Sequence, residues 1–268
     1  MTDRYVVIGF PIAHSLSPAM QAAAFRAAAL DASYDKIEIE PSALENWLIS
    51  VAPRLDGFNV TIPHKRAIAP HLDEIADDAA VTGAVNTVVR RGDRLTGFNT
   101  DVAGFDQALG DAAGENALVF GSGGAARAVV LVLRRRGMRV TVVSRSHPPD
   151  IGGRAVNYDD PALLGLVASA DLLVNATPLG MAQYPHSSPL PVDAAPRPGA
   201  LAFDLVYGRP TPFLQQAQAA GCETRDGLEM LVRQGAAAFR LWTGLDPAVD
   251  VMRAACLDAL KEAACSVS

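Results

Sequence analysis

Apolar runs of β type alternate with alanine-rich helical patterns along almost the whole 268-residue chain, and this rhythm constrains its fold more than any other feature. Short strands separated by full helices cannot pair as tight hairpins. They come side by side through crossovers, which favours an α/β fold with a parallel sheet covered by helices on both faces. YVVIGF (5–10), SYDKIEIE (33–40) and GFNVTI (57–62) read as strands, and SPAMQAAAFRAAAL (17–30) and SALENWLISVAPR (42–54) as helices. Ser17 is the expected N-cap of the first helix, with Pro18 at its first position. AVNTVVRRGDRLTGFNT (84–100) reads as a hairpin turning at RRGD.

After Asp101 the units lengthen. A helix over 102–112 is followed by NALVF, AARAVVLVLRRRG, RVTVVSR, DLLVNAT, ALAFDLVY and TPFLQQAQAAG. Two helices, GLEMLVRQGAAAFRLW and PAVDVMRAACLDALKEA, then close the chain, while SHPPDIGG and QYPHSSPLPVDAAPRPG read as exposed loops. The expected division is a domain of residues 1–103 plus 226–268 and a second of 104–225.

LVFGSGGAARA (118–128) is the sharpest local motif. Gly121 and Gly123, with Ala126 in place of a third glycine, fit G-x-G-x-x-A between a strand and a helix. Small residues there let the backbone approach a dinucleotide pyrophosphate, and the helix N-terminus offers it free N–H groups. An NAD site ends its second strand with an acid for the ribose. Here the strand ends in Ser144, Arg145 and Ser146, a guanidinium flanked by hydroxyls, so the favoured cofactor is NADP with its 2′-phosphate.

The first half supplies polar groups at strand ends, where α/β proteins place ligands. HSLSP sets the hydroxyls of Ser15 and Ser17 at a helix start, a set of neutral donors suited to a small carboxylate. Asn59 and Thr61 share a strand face, and Asn86, Asn99 and Asp101 add amides and a carboxylate that suit a polyol. NVTIPHK places Lys65 beyond Pro63, in the opening turn of an expected helix.

Composition excludes several classes. A formal charge of −6 and no basic run longer than RRR (134–136) argue against nucleic acid. No apolar stretch approaches the ~20 residues of a membrane helix, and the apolar run of MTDRYVVIGF is too early and too short for a signal peptide, so neither a membrane partner nor secretion is expected. Three cysteines without C-x-x-C spacing and five scattered histidines point to reduced thiols, a cytoplasmic setting and no metal site.

Together GFPIAHSLSP (9–18), NVTIPHK (59–65), GAVNT (83–87), GFNTD (97–101), GSGGAARA (121–128), NATPLGM (175–181), DLVYGRPTPF (204–213) and GLEMLVRQGAAAF (227–239) resemble the shikimate dehydrogenases from end to end. The resemblance implies reduction of 3-dehydroshikimate to shikimate with NADPH, in aromatic amino acid biosynthesis. It also implies an open α/β substrate domain joined to a Rossmann-type NADP domain, with the last helices returning to the substrate domain. By it, Ser15 and Ser17 hold the substrate carboxylate, and Asn59, Thr61, Asn86, Asp101 and Gln234 bind ring hydroxyls. Tyr207 lies close by, and Lys65 and Asp101 stand at the reacting centre. Gly121, Ser122, Gly123, Gly124, Ala125, Ser144, Arg145 and Ser146 bind the cofactor, with Ala176, Thr177, Met181, Leu205 and Gly227 near its nicotinamide half.

The chain departs from the family pattern at three places. Ser144-Arg145-Ser146 stands where asparagine, arginine, threonine is frequent, Ser122 where alanine is usual, and Asp226 where threonine is frequent. A quinate or aminoshikimate dehydrogenase shares these motifs, and a non-catalytic NADP-binding regulator is the reading from another class. Both a monomer and a homodimer are compatible with the sequence.

Overall fold

The computed structural model describes residues 2–145 and 154–265. In chain order the elements are β1 (Asp3–Gly9), α1 (Ser17–Ala27), β2 (Ala32–Glu38), α2 (Leu44–Ser50), β3 (Gly57–Val60), β4 (Glu74–Ile75), α3 (Asp77–Thr82), β5 (Thr87–Arg91), β6 (Arg94–Phe98) and α4 (Thr100–Leu109). There follow β7 (Asn116–Phe120), α5 (Gly124–Arg135), β8 (Arg139–Val143), β9 (Arg154–Val156), α6 (Leu163–Ser169), β10 (Leu172–Asn175), β11 (Leu201–Asp204), α7 (Pro212–Ala219), β12 (Glu223–Arg225), α8 (Leu228–Thr243) and α9 (Val249–Cys265). They form two compact units, residues 1–104 with 231–268, and residues 105–230. No helix among the described residues is long and apolar enough to cross a membrane.

The first unit is built on a mixed sheet in the order β2-β1-β3-β5-β6-β4. β1 runs parallel to β2 and β3, and the β5–β6 hairpin lies antiparallel to β3. Side chains alternate across β1 and β3, so the two faces have separate cores. Val6, Ile8, Phe58, Val60 and Val88 point to one side with α2, where Trp47 packs edge-on to Phe58 at 5.2 Å. On the other side Tyr5 stacks between Phe25 of α1 and Trp242 of α8 at 5.2 and 4.8 Å, and Phe239 meets Phe25 at 5.2 Å. Trp242 also donates its indole N–H to the Val88 carbonyl at 3.0 Å, and α9 packs on α1.

The second unit has a six-stranded, wholly parallel sheet in the order β12-β11-β10-β7-β8-β9. Counted from β7, this is the strand order 3-2-1-4-5-6 of a dinucleotide-binding fold, and its direction of winding reverses between β7 and β10. Leu118 and Phe120 of β7 and Leu173 of β10 lie in the buried core, and α5 buries Ala126, Val129, Val130 and Leu133 against the sheet. Arg134, Arg135 and Arg136 end that helix on its exposed side.

Several elements are too short to show a period: β4, β9 and β12 span two or three residues, and α3 and α6 six and seven. The expected helix after Pro63 does not form. The Ile62–Pro63 bond is cis and residues 62–68 make successive turns. Tertiary bonds override the local helix signal there: the Lys65 carbonyl accepts the Val85 N–H at 2.7 Å, and buried His64 bonds through Nε2 to the Ile39 carbonyl at 2.7 Å. Lys65 therefore does not lie in the opening turn of a helix of its own.

Candidate active site

In the first unit the turns after β3 bring Lys65 onto the start of α4. Its Nζ lies 2.5 Å from Asp101 Oδ2, and the two side chains are 14% and 6% exposed. The other carboxylate oxygen of Asp101 accepts the Asn86 amide at 2.8 Å, so the carboxylate is gripped from both sides. Asp101 lies inside α4 and does not cap it. That bond is made by Asn99, whose Oδ1 accepts the Asp101 N–H at 3.2 Å, leaving the Asp101 carboxylate to face Lys65.

Asn86 is itself held rigidly. Its Oδ1 accepts the Thr100 N–H at 2.7 Å and the hydroxyls of Thr100 and Thr87 at 3.1 Å each. Gln234 of α8 completes the group, with Oε1 3.4 Å from Asn86 Nδ2. It reaches the site because Gly104 lets α4 and α8 touch: a Cβ on Gly104 would stand 2.7 Å from Gln234 Cβ and 2.8 Å from its backbone nitrogen.

At the start of α1 the roles of the two serines differ from the expected cap. Leu16 occupies the N-cap position without a side-chain bond, and the Ser15 hydroxyl accepts the Ser17 N–H at 3.3 Å. Ser17 lies inside the helix, buried, with its hydroxyl bonded to Tyr34. Burial pushes the Tyr34 phenol well above its ordinary value, the Ser17 bond acting the other way. Tyr34 donates to Asn59 Oδ1 at 2.6 Å, and Asn59 Nδ2 donates to the Asn86 carbonyl and the Thr87 hydroxyl at 3.0 and 2.9 Å. Both Asn59 amide protons are thus spent inside the protein. Thr61, one residue past β3, is half-buried. Tyr34 links the serine pair to the Asn59–Asn86 chain, and no sequence motif marks it. Its only signal there is a phenol on a strand flanked by polar residues.

The segment between β1 and α1 is fastened to β2. The Ile12 N–H donates to Glu38 Oε2 at 3.0 Å, and Lys36 donates to the Ala13 carbonyl.

In the second unit the glycine turn sits at the point where the sheet reverses. Gly121 has φ +109°, and a Cβ there would stand 2.8 Å from the Ala176 carbonyl, so only glycine fits. Gly123 precedes α5 with nothing within 4 Å of where its Cβ would be, and no side chain caps the helix. An open approach to uncapped N–H groups is what a pyrophosphate requires, so these residues fit a dinucleotide. Ser122, Gly124 and Ala125 line the same turn. Ser144 is buried at the end of β8, and Arg145 beside it is exposed, near Tyr158. Burial pushes the Tyr158 phenol up to about 12, with the Arg145 charge acting against the rise. Ser146 lies outside the described residues.

Ala176, Thr177 and Met181 follow β10, and Leu205 and Tyr207 follow β11. Gly227 closes against that second loop, where a Cβ would stand 2.2 Å from the Leu205 carbonyl. Among the described residues no group of three His, Cys, Asp or Glu is placed to hold a metal ion.

A wholly parallel sheet of this order, with a glycine turn at its reversal and an arginine in place of the ribose acid, defines a dinucleotide-binding α/β protein of the NADP type. Comparison with known proteins narrows the class. Residues 7–88 match the model of the shikimate dehydrogenase substrate-binding domain, and residues 227–257 that of the shikimate 5′-dehydrogenase C-terminal domain. A Synechocystis protein named shikimate dehydrogenase (NADP(+)) is 43% identical over 96% of this chain and 96% of its own. Shikimate 5-dehydrogenase from Thermus thermophilus, solved with shikimate, superposes with a TM-score of 0.86 at 42% identity, covering 97% of this chain and 100% of that one. The same enzyme solved with NADP(H) and shikimate gives 0.85 at 43% identity, covering 96% and 100%. The chain belongs to the shikimate dehydrogenase family.

Proposed function

We propose that this chain catalyses the reversible NADPH-dependent reduction of 3-dehydroshikimate to shikimate. The observation that carries the chemistry is the Lys65–Asp101 pair at 2.5 Å, shielded from solvent and braced by Asn86. When bound, the cofactor supplies the hydride. The residues of the chain handle the proton, the charge and the orientation.

Lys65 has three N–H donors, of which Asp101 takes one. The others are available to the substrate oxygen, where the ammonium stabilises developing negative charge and supplies the proton. Asp101 orients both the ammonium and a ring hydroxyl. Asn86, with its amide oxygen saturated by Thr100 and Thr87, holds the carboxylate in register, and Gln234 offers an amide beside it. The hydroxyls of Ser15 and Ser17 bind the substrate carboxylate through neutral donors, and Thr61 binds a ring hydroxyl. Asn59 acts from behind by fixing Tyr34 and Asn86. In the second unit the glycine turn binds the pyrophosphate and Arg145 the 2′-phosphate.

The test is a matrix of shikimate, quinate and aminoshikimate against NADP and NAD, followed by the absorbance of the reduced nicotinamide. Fastest turnover with shikimate and NADP is expected. Faster turnover of quinate, or no turnover with any pair, would overturn the proposal.

A further inference from the structure

One buried carboxylate ties together the two loops that follow β10 and β11. Asp204 ends β11 with no exposed surface. It receives the Asn175 amide at 2.9 Å, the Val206 N–H at 2.9 Å and the Thr211 hydroxyl at 2.6 Å. Each donor anchors a stretch of loop. Asn175, at the end of β10, also donates to the Leu179 carbonyl at 3.0 Å, and its own oxygen accepts the Thr177 N–H and hydroxyl at 3.0 and 2.7 Å. Thr211 caps α7 by accepting the Leu214 N–H at 3.3 Å. Its side chain fills the space where a Cβ on Gly180 would stand, at 2.9 Å, while Gly180 holds φ +98°. Segments 175–181 and 205–211 therefore close on a single anion.

A neutral carboxyl does not satisfy this arrangement. All three neighbours are donors, whereas a protonated Asp204 must donate one bond itself. The Thr211 oxygen already accepts from Leu214, and taking a second proton would leave its own hydroxyl hydrogen without the acceptor it now uses.

We propose that Asp204 is a positioning residue for the nicotinamide half of the cofactor, setting both loops as a carboxylate and losing that hold when protonated. The inference rests on the dehydrogenase reading above. Burial pushes the Asp204 carboxyl up to about 6 despite its three hydrogen bonds, and the nearby Asp226 carboxylate adds to the rise. This gives Asp226 a physical consequence. Of the other elements packed around Asp204, β10 with residues 176–181 and α7 carry no charged or titratable group, the rest of the loop after β10 carries Tyr184, His186, Asp193 and Arg197, the 205–211 loop carries Tyr207 and Arg209, and β12 carries Glu223 and Arg225. Arg225 is engaged with the Leu109 carbonyl at 2.8 Å. On the α4 side, where Phe105 packs on Phe203, Asp106 is paired with Arg136.

The experiment measures kcat from pH 5 to 8.5 at saturating shikimate and NADP, for the wild type, Asp204→Asn and Asp226→Asn. Saturation is needed because the cofactor's own 2′-phosphate titrates at about pH 6. Wild-type kcat should fall roughly 10-fold below an inflection near pH 6, the scale of a small misplacement at a reacting centre. Asp204→Asn should be flat across that range at the low value, with shikimate affinity unchanged. Asp226→Asn should keep the high-pH rate and move the inflection to lower pH. Wild-type rate and inflection in Asp204→Asn, or an unmoved inflection in Asp226→Asn, overturns the inference; should Asp204→Asn fail to fold, Asp226→Asn decides alone. A wild-type chain without turnover at any pH would instead remove the dehydrogenase reading.

Discussion

The Lys65–Asp101 pair acts as one device, because Asp101 is held by Asn86 on one oxygen and by Lys65 on the other. Lys65→Ala should lower kcat at least ~100-fold, the usual scale for a general acid–base group, with NADP affinity kept. Asp101→Asn should also lose rate, and the double variant should be little worse than the worse single one in steady-state kinetics. Arg145, exposed at the end of β8, should act only on the cofactor. Arg145→Ala should raise the KM for NADP by about 1.5–3 kcal/mol as a lost charge-assisted bond, and leave that for NAD nearly unchanged. Asp204 also has a signature in stability. Its pKa is raised from 3.8 to about 6 in the fold, so the folded chain holds that proton more tightly than the unfolded one. The associated stability is fully present below pH 3.8 and is lost as pH rises through about 6. In urea unfolding, wild-type stability relative to Asp204→Asn should therefore fall by an amount on the order of 2 kcal/mol between pH 4 and 7, at ~1.4 kcal/mol for each tenfold difference in proton affinity.

Among the elements, α8 is packed through two glycines that differ in what an added methyl would strike. At Gly104 of α4 the obstacle is the α8 backbone at Gln234, whereas at Gly235 it is the end of the Met20 side chain, 2.2 Å away. A backbone cannot move aside as a thioether can. Gly104→Ala should cost ~1–3 kcal/mol in urea unfolding and raise the KM for shikimate by displacing Gln234. Gly235→Ala should cost less. The long elements are readable because their periods are long: α1, α5, α8, α9 and the strands β7, β8, β10 and β11 of the parallel sheet follow from apolar runs and glycine turns. Elements of two or three residues, such as β4 and β12, exist only because neighbouring strands offer partners, and no local pattern records that. The same limit applies to the site. Lys65, Asp101 and the serines carry motifs, whereas the helix expected after Pro63 is lost to bonds from Val85 and Ile39, distant in sequence. Tyr34 and Asp204 acquire their roles only once burial forces each to find partners.

At the scale of the whole chain, the second unit is one uninterrupted stretch, 105–230, while the first is assembled from residues on either side of it. A fragment spanning 105–230 contains all six strands of its sheet and should unfold cooperatively by circular dichroism. Residues 1–104 alone should not, because Tyr5 and Phe25 would lack Phe239 and Trp242. The aromatic stack around Tyr5 thus carries a consequence for biosynthesis. During translation at roughly 5–20 residues per second, the strand and helix bearing Tyr5 and Phe25 wait about 10–50 s for their partners. The middle of the chain meanwhile has all it needs to fold. What is made first is finished last, and in that interval the apolar face of the nascent first unit is open to chaperones and to aggregation.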